Sequence, residues 1–239
     1  MNPLLDLAIA AHGGLDRWEA FNEVTALLTI DGELGILKQN PGTLGPFTVT
    51  ASTSEACATL APFGCSGRRA TFVPDRVTIE GLQQEVIEAL EDPRAAFAGH
   101  DFETAWDDLH VAYFHGYLLW THLVTPFLYA FPNFATEELP PWREGNEEWR
   151  RLKIVFPEHM ASHSREQVSY FDAGGLLRRH DYQVDILGGR SCVDYMSDYR
   201  EYHGIQVPRR RRMFEIAPGA RPTSQCLLLS IDITEMSFR

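Results

Sequence analysis

Basic residues are scarce in this chain: 21 Lys and Arg stand against 33 Asp and Glu, a formal net charge of −12. A surface of that sign repels phosphate backbones and anionic headgroups, which excludes a general affinity for nucleic acid or anionic membrane. Cysteine is also sparse. The four, Cys57, Cys65, Cys192 and Cys226, are widely spaced and contain no Cys-x-x-Cys pair, so zinc-ribbon and thioredoxin-like readings fall away. They read as reduced, semi-buried thiols, with a Cys57–Cys65 disulfide left open should the two face each other across a hairpin. No hydrophobic run approaches the ~20 residues needed to span a bilayer. The apolar opening "MNPLLDLAIAAHGG" carries Asp6 and no Lys or Arg before its hydrophobic run, the reverse of a secretory signal, so a cytoplasmic protein is expected.

Familiar chemistry is missing as well. There is no Gly-x-Gly-x-x-Gly, no phosphate loop, no Gly-x-Ser-x-Gly elbow and no His-Glu-x-x-His. "HMASH" places His159 and His163 four apart, but Pro157 precedes it and strand-like residues follow, which argues against a helical zinc pair. No cofactor and no metal site are expected.

What remains is a chain with 44% apolar and 11% aromatic residues, long enough at 239 residues to bury a substantial core. Leu4, Leu7, Ala8, Ala11 and Leu15 follow helical spacing, interrupted at Gly13-Gly14, and predict an N-terminal helix within residues 1–20. The period then changes to two. "VTALLTIDGELGILK" alternates around Asp31-Gly32, and "FTVTAS" and "EACATLAPF" follow in the same way. "RRATFVPDRVTIEG" has a tight-turn signal at Pro74-Asp75. Residues 91–131 break the rhythm as a helical insertion. Strands return with "EWRRLKIVFP" and "REQVSYFDAGGLLRRHDYQV", then "CVDYMSDYREYHGIQVPRRRRMFEI" and "CLLLSIDITEMSF". With no repeat or linker, residues 1–239 read as a single domain, mainly β (α+β). The expected architecture is one many-stranded antiparallel sheet that curls, with helices covering its concave face.

The insertion holds the densest chemistry, "WDDLHVAYFHGYLLW" at 106–120. At ~100° per residue, Trp106, Leu109, His110, Tyr113, Tyr117, Trp120 and Val124 fall in one stripe directed at the sheet. Asp108, His115 and His122 fall opposite and predict a solvated face. His110 is either a satisfied core histidine or one facing an open cavity, where burial and Tyr neighbours would tune it for proton transfer. Asp107 can orient that imidazole only where the backbone departs from a regular helix. Thr125-Pro126 reads as a cap and first position of a new short helix carrying Phe127, Leu128 and Phe131.

Elsewhere, His180, Tyr182 and Arg178 share one strand face, and Arg179 and Asp181 the other. Pairing across the Asp172–Gly175 turn would bring Arg165 or Glu166 near His180 or Asp181. These residues make either an exposed charged ladder or the polar groups of a concave pocket. The basic run "PRRRRMF" splits into Arg209/Arg211 and Arg210/Arg212, expected to pair with neighbouring acids rather than an anionic ligand.

An opening "AHGGLDRWEAF", a long meander of strands, a helical insertion and the ending "DYREYHGIQVPRRRRMF…LLLSIDITEMSF" resemble the LolA/LppX lipoprotein-localisation superfamily. The chain is also similar to bacterial proteins of about this size. The resemblance implies a half-barrel: a strongly curved antiparallel sheet with helices over its concave side and an apolar cavity between them. Superfamily members carry lipid or acyl chains, and one branch uses the cavity for cofactor-free chemistry.

Two functions follow as expectations. One is a binding protein for a hydrophobic small molecule or acyl chain, held by Trp106, Leu109, Trp120, Val124, Phe127 and Phe131. The other is a cofactor-free lyase, isomerase or cyclase, with His110 as acid/base, assisted by Tyr113, Tyr117, His180 and Arg165.

Overall fold

The computed structural model describes every residue except Met1, Pro41, Thr43, Leu44 and residues 217–226, so Cys226 lies outside the described residues. Six strands precede the central helix: β1 (Glu23–Asp31), β2 (Phe47–Ser52), β3 (Ala58–Ala61), β4 (Arg69–Val73), β5 (Arg76–Glu80) and β6 (Val86–Glu91). Seven follow it: β7 (Ala135–Glu144), β8 (Glu147–Val155), β9 (Glu166–Phe171), β10 (Leu177–Val184), β11 (Arg190–Tyr202), β12 (Ile205–Glu215) and β13 (Leu227–Phe238). All thirteen form one antiparallel sheet in the order β6-β5-β4-β3-β2-β1-β13-β12-β11-β10-β9-β8-β7. Each strand pairs with its neighbour in sequence, except that β1 and β13 join the two halves. The sheet is open, with β6 and β7 at its edges.

Among the described residues, four α-helices accompany it. In α1 (Pro3–Ala11), the Asn2 side chain accepts the Leu4 N–H and Pro3 fills the first turn, where a missing donor costs nothing. Gly13, at φ 124°, lies against the Gly204 carbonyl where a Cβ would collide, and the chain turns there into the short α2 (Leu15–Trp18). The second strand expected beyond Asp31 is instead α3 (Glu33–Leu37). Gly32, at φ 127°, ends the strand because only a residue without Cβ can lie on the Leu228 carbonyl. Of the 91–131 insertion, only α4 (Asp108–Val124) is α-helix; Ala95–Phe97 and Phe127–Ala130 are 3-10 turns. Two strands were not anticipated. In β7 the pair Pro140-Pro141 breaks the alternation, as an edge strand permits, and in β6 most side chains are exposed.

The sheet curls around α4, which explains why that helix is apolar on nearly every side. On one flank Gly116 sits against Phe72 of β4 so closely that a Cβ would overlap the ring's own Cβ. On the opposite flank the His122 carbonyl accepts a hydrogen bond from Arg211 of β12. The expectation of a solvated Asp108/His115/His122 face is therefore corrected. Asp108 is half-buried and bound to Arg68, while His115 and His122 lie inside the fold. The helical wheel located the residues correctly but supposed water on one side, where there is sheet on both.

Cys57 and Cys65 are free thiols, so no bridge joins them. The basic run pairs with acids as expected: Arg209 with Asp198, Arg212 with Asp232 in a two-pronged contact, and Arg211 with Asp194.

Candidate functional site

Cross-strand register shows what the concave face presents. Across β2 to β5 it is wholly apolar: Val49, Leu60, Ala70 and Ile79 stand in one row, and Ala51, Ala58, Phe72 and Val77 in the next. Across β13 to β9 the corresponding row reads Leu229, Met213, Asp194, His180, Ser169. Two flanking rows add Arg211 on β12 and Tyr182 on β10. Polar residues thus face inward over only one part of the sheet, and α4 lays His122 and Tyr117 on top of them.

The geometry there is close. Arg211 Nη1 donates to Asp194 Oδ2 at 3.0 Å, and Arg211 Nη2 to the His122 carbonyl at 3.0 Å. His122 Nε2 lies 3.7 Å from the same Asp194 oxygen. His163, from the loop before β9, places Nδ1 3.2 Å from the Tyr117 hydroxyl and stacks flat on Tyr182 with ring centres 4.2 Å apart. The His180 ring packs edge-on to Tyr182 at 5.2 Å. Tyr129 and Ser169 share a hydrogen bond of 2.9 Å at the margin.

Burial governs the electrostatics. It lowers the His180 pKa to about 3, with a smaller push from Arg211, and holds His122 and His163 well below the ordinary histidine value. All three are neutral imidazoles at pH 7. Burial also raises the Asp194 carboxyl, against the opposing pull of Arg211. Several polar atoms here have no protein partner: both His122 ring nitrogens, Nε2 of His163 and His180, the Tyr182 hydroxyl and Asp194 Oδ1. Among the described residues no three His, Cys, Asp or Glu are arranged to hold a metal ion.

A pocket of about 600 Å³ opens beside this row, between α3, α4 and the β1–β13 pair. Its apolar lining includes Leu34, Trp106, Val111, Phe114, Leu228 and Leu229. His115 also lines it; burial lowers its pKa to about 4, and its Nδ1 is without a partner. Lys38 holds the wall in place. Its ammonium donates to the carbonyls of Asp101, Phe102 and Thr104 at 2.9, 2.8 and 3.1 Å and sits 4.8 Å from the Trp106 ring centre. Desolvation lowers its pKa to about 8.

The residues singled out from sequence divide between several places. Trp106 lines the large pocket, whereas Phe131 lines a smaller cleft of about 330 Å³ beside Trp18. Trp120, Val124 and Phe127 are packed in the core: Trp120 Nε1 donates to the Ser52 carbonyl, and Phe127 stacks on Trp18 at 4.3 Å. Leu109 is half-buried against the core.

His110 lies at the outer end of α4. Its Nδ1 donates to Asp107 Oδ1 at 2.7 Å, and its ring meets Phe97 edge-on at 4.7 Å. Asp107 can reach it because Asp107 is the helix cap, with extended backbone, and not a helical residue. Tyr113 borders a shallow surface hollow with Arg165, which is exposed and paired with neither His180 nor Asp181. Only Tyr117 and His180 reach the buried polar row. Arg179 and Asp181, on the convex face, form no exposed ladder. Arg179 is 3% exposed, forks onto Asp181 at 2.6 and 2.8 Å, and sits among Trp142, Tyr170 and Tyr195. His115, His122, His163, Asp194 and Arg211 also face inward; the sequence put His115 and His122 on a solvated face and marked none of the other three as inward.

An open antiparallel sheet curled over one buried helix defines the class, and a solved structure agrees with it. No protein-family model matches the chain, and no curated protein matches it in sequence. A LolA superfamily protein from Nitrosomonas europaea is 9% identical, covers 97% of this chain and 93% of its own, and superposes with a TM-score of 0.51. A domain assigned to outer-membrane lipoprotein sorting from Vibrio parahaemolyticus is 10% identical over 98% and 92%, with a TM-score of 0.47. A DUF1329 family protein from Desulfovibrio piger is 11% identical over 98% and 91%, also at 0.47. The chain has a LolA-like fold. The LolA-superfamily likeness overturns the expected cytoplasmic location. The apolar N-terminal run behind that expectation forms α1, whose Leu4, Leu5, Ala8 and Ile9 fill the core, so its pattern reflects packing rather than compartment.

Proposed function

We propose that the protein binds a hydrophobic small molecule or acyl chain in the pocket between α3, α4 and β13. One observation carries this reading: a recess of about 600 Å³, within the usual range for small-molecule sites, with Leu34, Trp106, Val111, Phe114, Leu228 and Leu229 on its walls beside the polar Asp31, Lys38 and Asp232. Displacing water from such a surface contributes roughly 25 cal/mol per Å² of apolar area covered, which favours an apolar guest over a polar one. The LolA-superfamily likeness supports the same class of ligand.

The test is fluorescence of Nile red, a neutral apolar dye, titrated with the full chain. Blue-shifted, saturable emission is expected. Val111→Trp, which fills the recess from α4, should weaken binding about tenfold, and Ile36→Asp, which charges its exposed rim, should weaken it as well. Absence of saturable binding, or binding indifferent to both substitutions, would remove the pocket as the site.

A further inference from the structure

The buried polar row is poorly explained as packing. His122, His163, His180, Tyr182 and Asp194 are each more than nine-tenths buried, yet six of their polar atoms have no protein partner. An unmet buried donor or acceptor costs about 1–3 kcal/mol, so an apolar set of similar shape would be the more stable filling. The apolar rows on β2 to β5, against the same helix, show that such a filling is available to this fold.

The row also adjoins the pocket along the sheet. Leu229 in the pocket wall pairs with Met213, which pairs with Asp194, which pairs with His180. At about 4.8 Å between strands, Asp194 stands roughly 10 Å from Leu229 along one face. Met213, the residue between them, is unbranched and among the side chains that adapt most easily to a neighbour. From the helix side, Phe114 lines the pocket and stands 6.0 Å from the His163 ring.

The charge of the row narrows the ligand. Arg211 and Asp194 neutralise each other at 3.0 Å. Burial keeps the three imidazoles uncharged, so each offers one N–H and one lone pair. Neither a carboxylate nor an ammonium finds an unpaired countercharge there, and burying either would carry a large desolvation cost. A group that both accepts and donates, or accepts only, meets what the imidazoles and the tyrosine provide.

We propose that this row binds the uncharged polar end, a hydroxyl, ketone or amide, of an amphiphile whose apolar body occupies the pocket. The assignment rests on the pocket being a site for an apolar ligand. Tyr182, His163, His180 and His122 supply the hydrogen bonds, and Asp194, fixed by Arg211, supplies a further acceptor.

Displacement of Nile red by four ten-carbon compounds, decan-1-ol, decane, decanoate and decylamine, tests it at pH 7. Decan-1-ol should displace the dye at a concentration at least about tenfold below decane and below either charged compound, the equivalent of one or two buried hydrogen bonds. Tyr182→Phe removes one oxygen and keeps the ring stacked on His163, and it should reduce that preference about threefold to tenfold. His180→Phe should reduce it similarly, with circular dichroism confirming that the fold is intact. Equal displacement by decan-1-ol and decane, or a preference unchanged in Tyr182→Phe, overturns the assignment while leaving the apolar pocket standing. A protein that binds no Nile red overturns both.

Discussion

One helix in this molecule faces two different interiors. Against β2 to β5, α4 meets a dry face where Gly116 lets the backbone approach Phe72 and the Phe72 and Tyr113 rings pack at 5.8 Å. Against β9 to β12 it meets His180, Asp194 and Arg211, with Tyr182 beneath His163. The first contact is governed by shape and fails when volume is added. The second is governed by charge and hydrogen bonding and fails when a partner is removed. Stability in the two halves should therefore respond to different changes.

The largest effect should come from acid. Burial depresses the folded-state pKa of His12 and His115 to about 4 and of His180 to about 3, with His122 and His163 also well below 6.5. The unfolded chain binds protons that the folded chain refuses, so stability is complete above about pH 6.5 and falls as pH drops towards those lower values. Each histidine costs about 1.4 kcal/mol per pH unit within that window. Asp194, whose pKa burial raises, works in the opposite direction, but it is one group against five. Acid titration followed by circular dichroism should show cooperative unfolding that takes up several protons; a fold unchanged down to pH 4 would contradict the neutral assignment.

Next in size is Asp194→Ala, which strands the Arg211 guanidinium in the interior and should cost about 3–5 kcal/mol in urea unfolding. The double replacement Asp194→Leu with Arg211→Met turns the polar half into something like the dry half, and should cost less than the single change. A double variant as unstable as the single one would mean that the pair contributes more than mutual neutralisation.

Gly116→Ala probes the dry half. Its Cβ would overlap Phe72, and the expected loss is about 1–3 kcal/mol despite the better helix propensity of alanine. Chemical denaturation that finds the variant more stable than the parent would show that Phe72 yields easily.

The smallest loss belongs to Tyr182→Phe. Its hydroxyl has no protein partner, so removing it should cost no stability, and relieving an unmet buried group should raise it by up to about 1–3 kcal/mol, while the ligand preference moves. A loss above about 1 kcal/mol would show that the hydroxyl is structurally engaged.

Much of the sheet was legible because its strands obey period two wherever one face meets the core. The Pro74-Asp75 and Asp172–Gly175 turns are placed as their residues require. What misled was context that a single segment does not carry. His115 and His122 read as a wet face because polar residues at intervals of seven usually are, yet here sheet closes over both sides of α4. Arg211 reads as the partner of a neighbouring acid, as it is, but nothing in the basic run marks it as buried, and Asp194 was not singled out. A signal was present in "CVDYM", where Cys192, Asp194 and Met196 share one face and apolar neighbours flank the acid, a pattern that places a carboxylate in the core. His163 gave no signal, because its loop lies outside any periodic element.

The seam between β1 and β13 carries a consequence for how the molecule is made. Every other strand can pair with a neighbour already adjacent in the chain, but β1 and β12 are joined only through residues 227–238. A nascent chain that has not yet delivered β13 holds two separate half-sheets, each with a bare edge at the seam, and α4 tethered between them. The pairing of Val24 with Phe238 spans the greatest separation in the sheet, so closing this seam has the highest contact order of any strand pairing, and until it closes the edges of β1 and β12 are open to wrong partners.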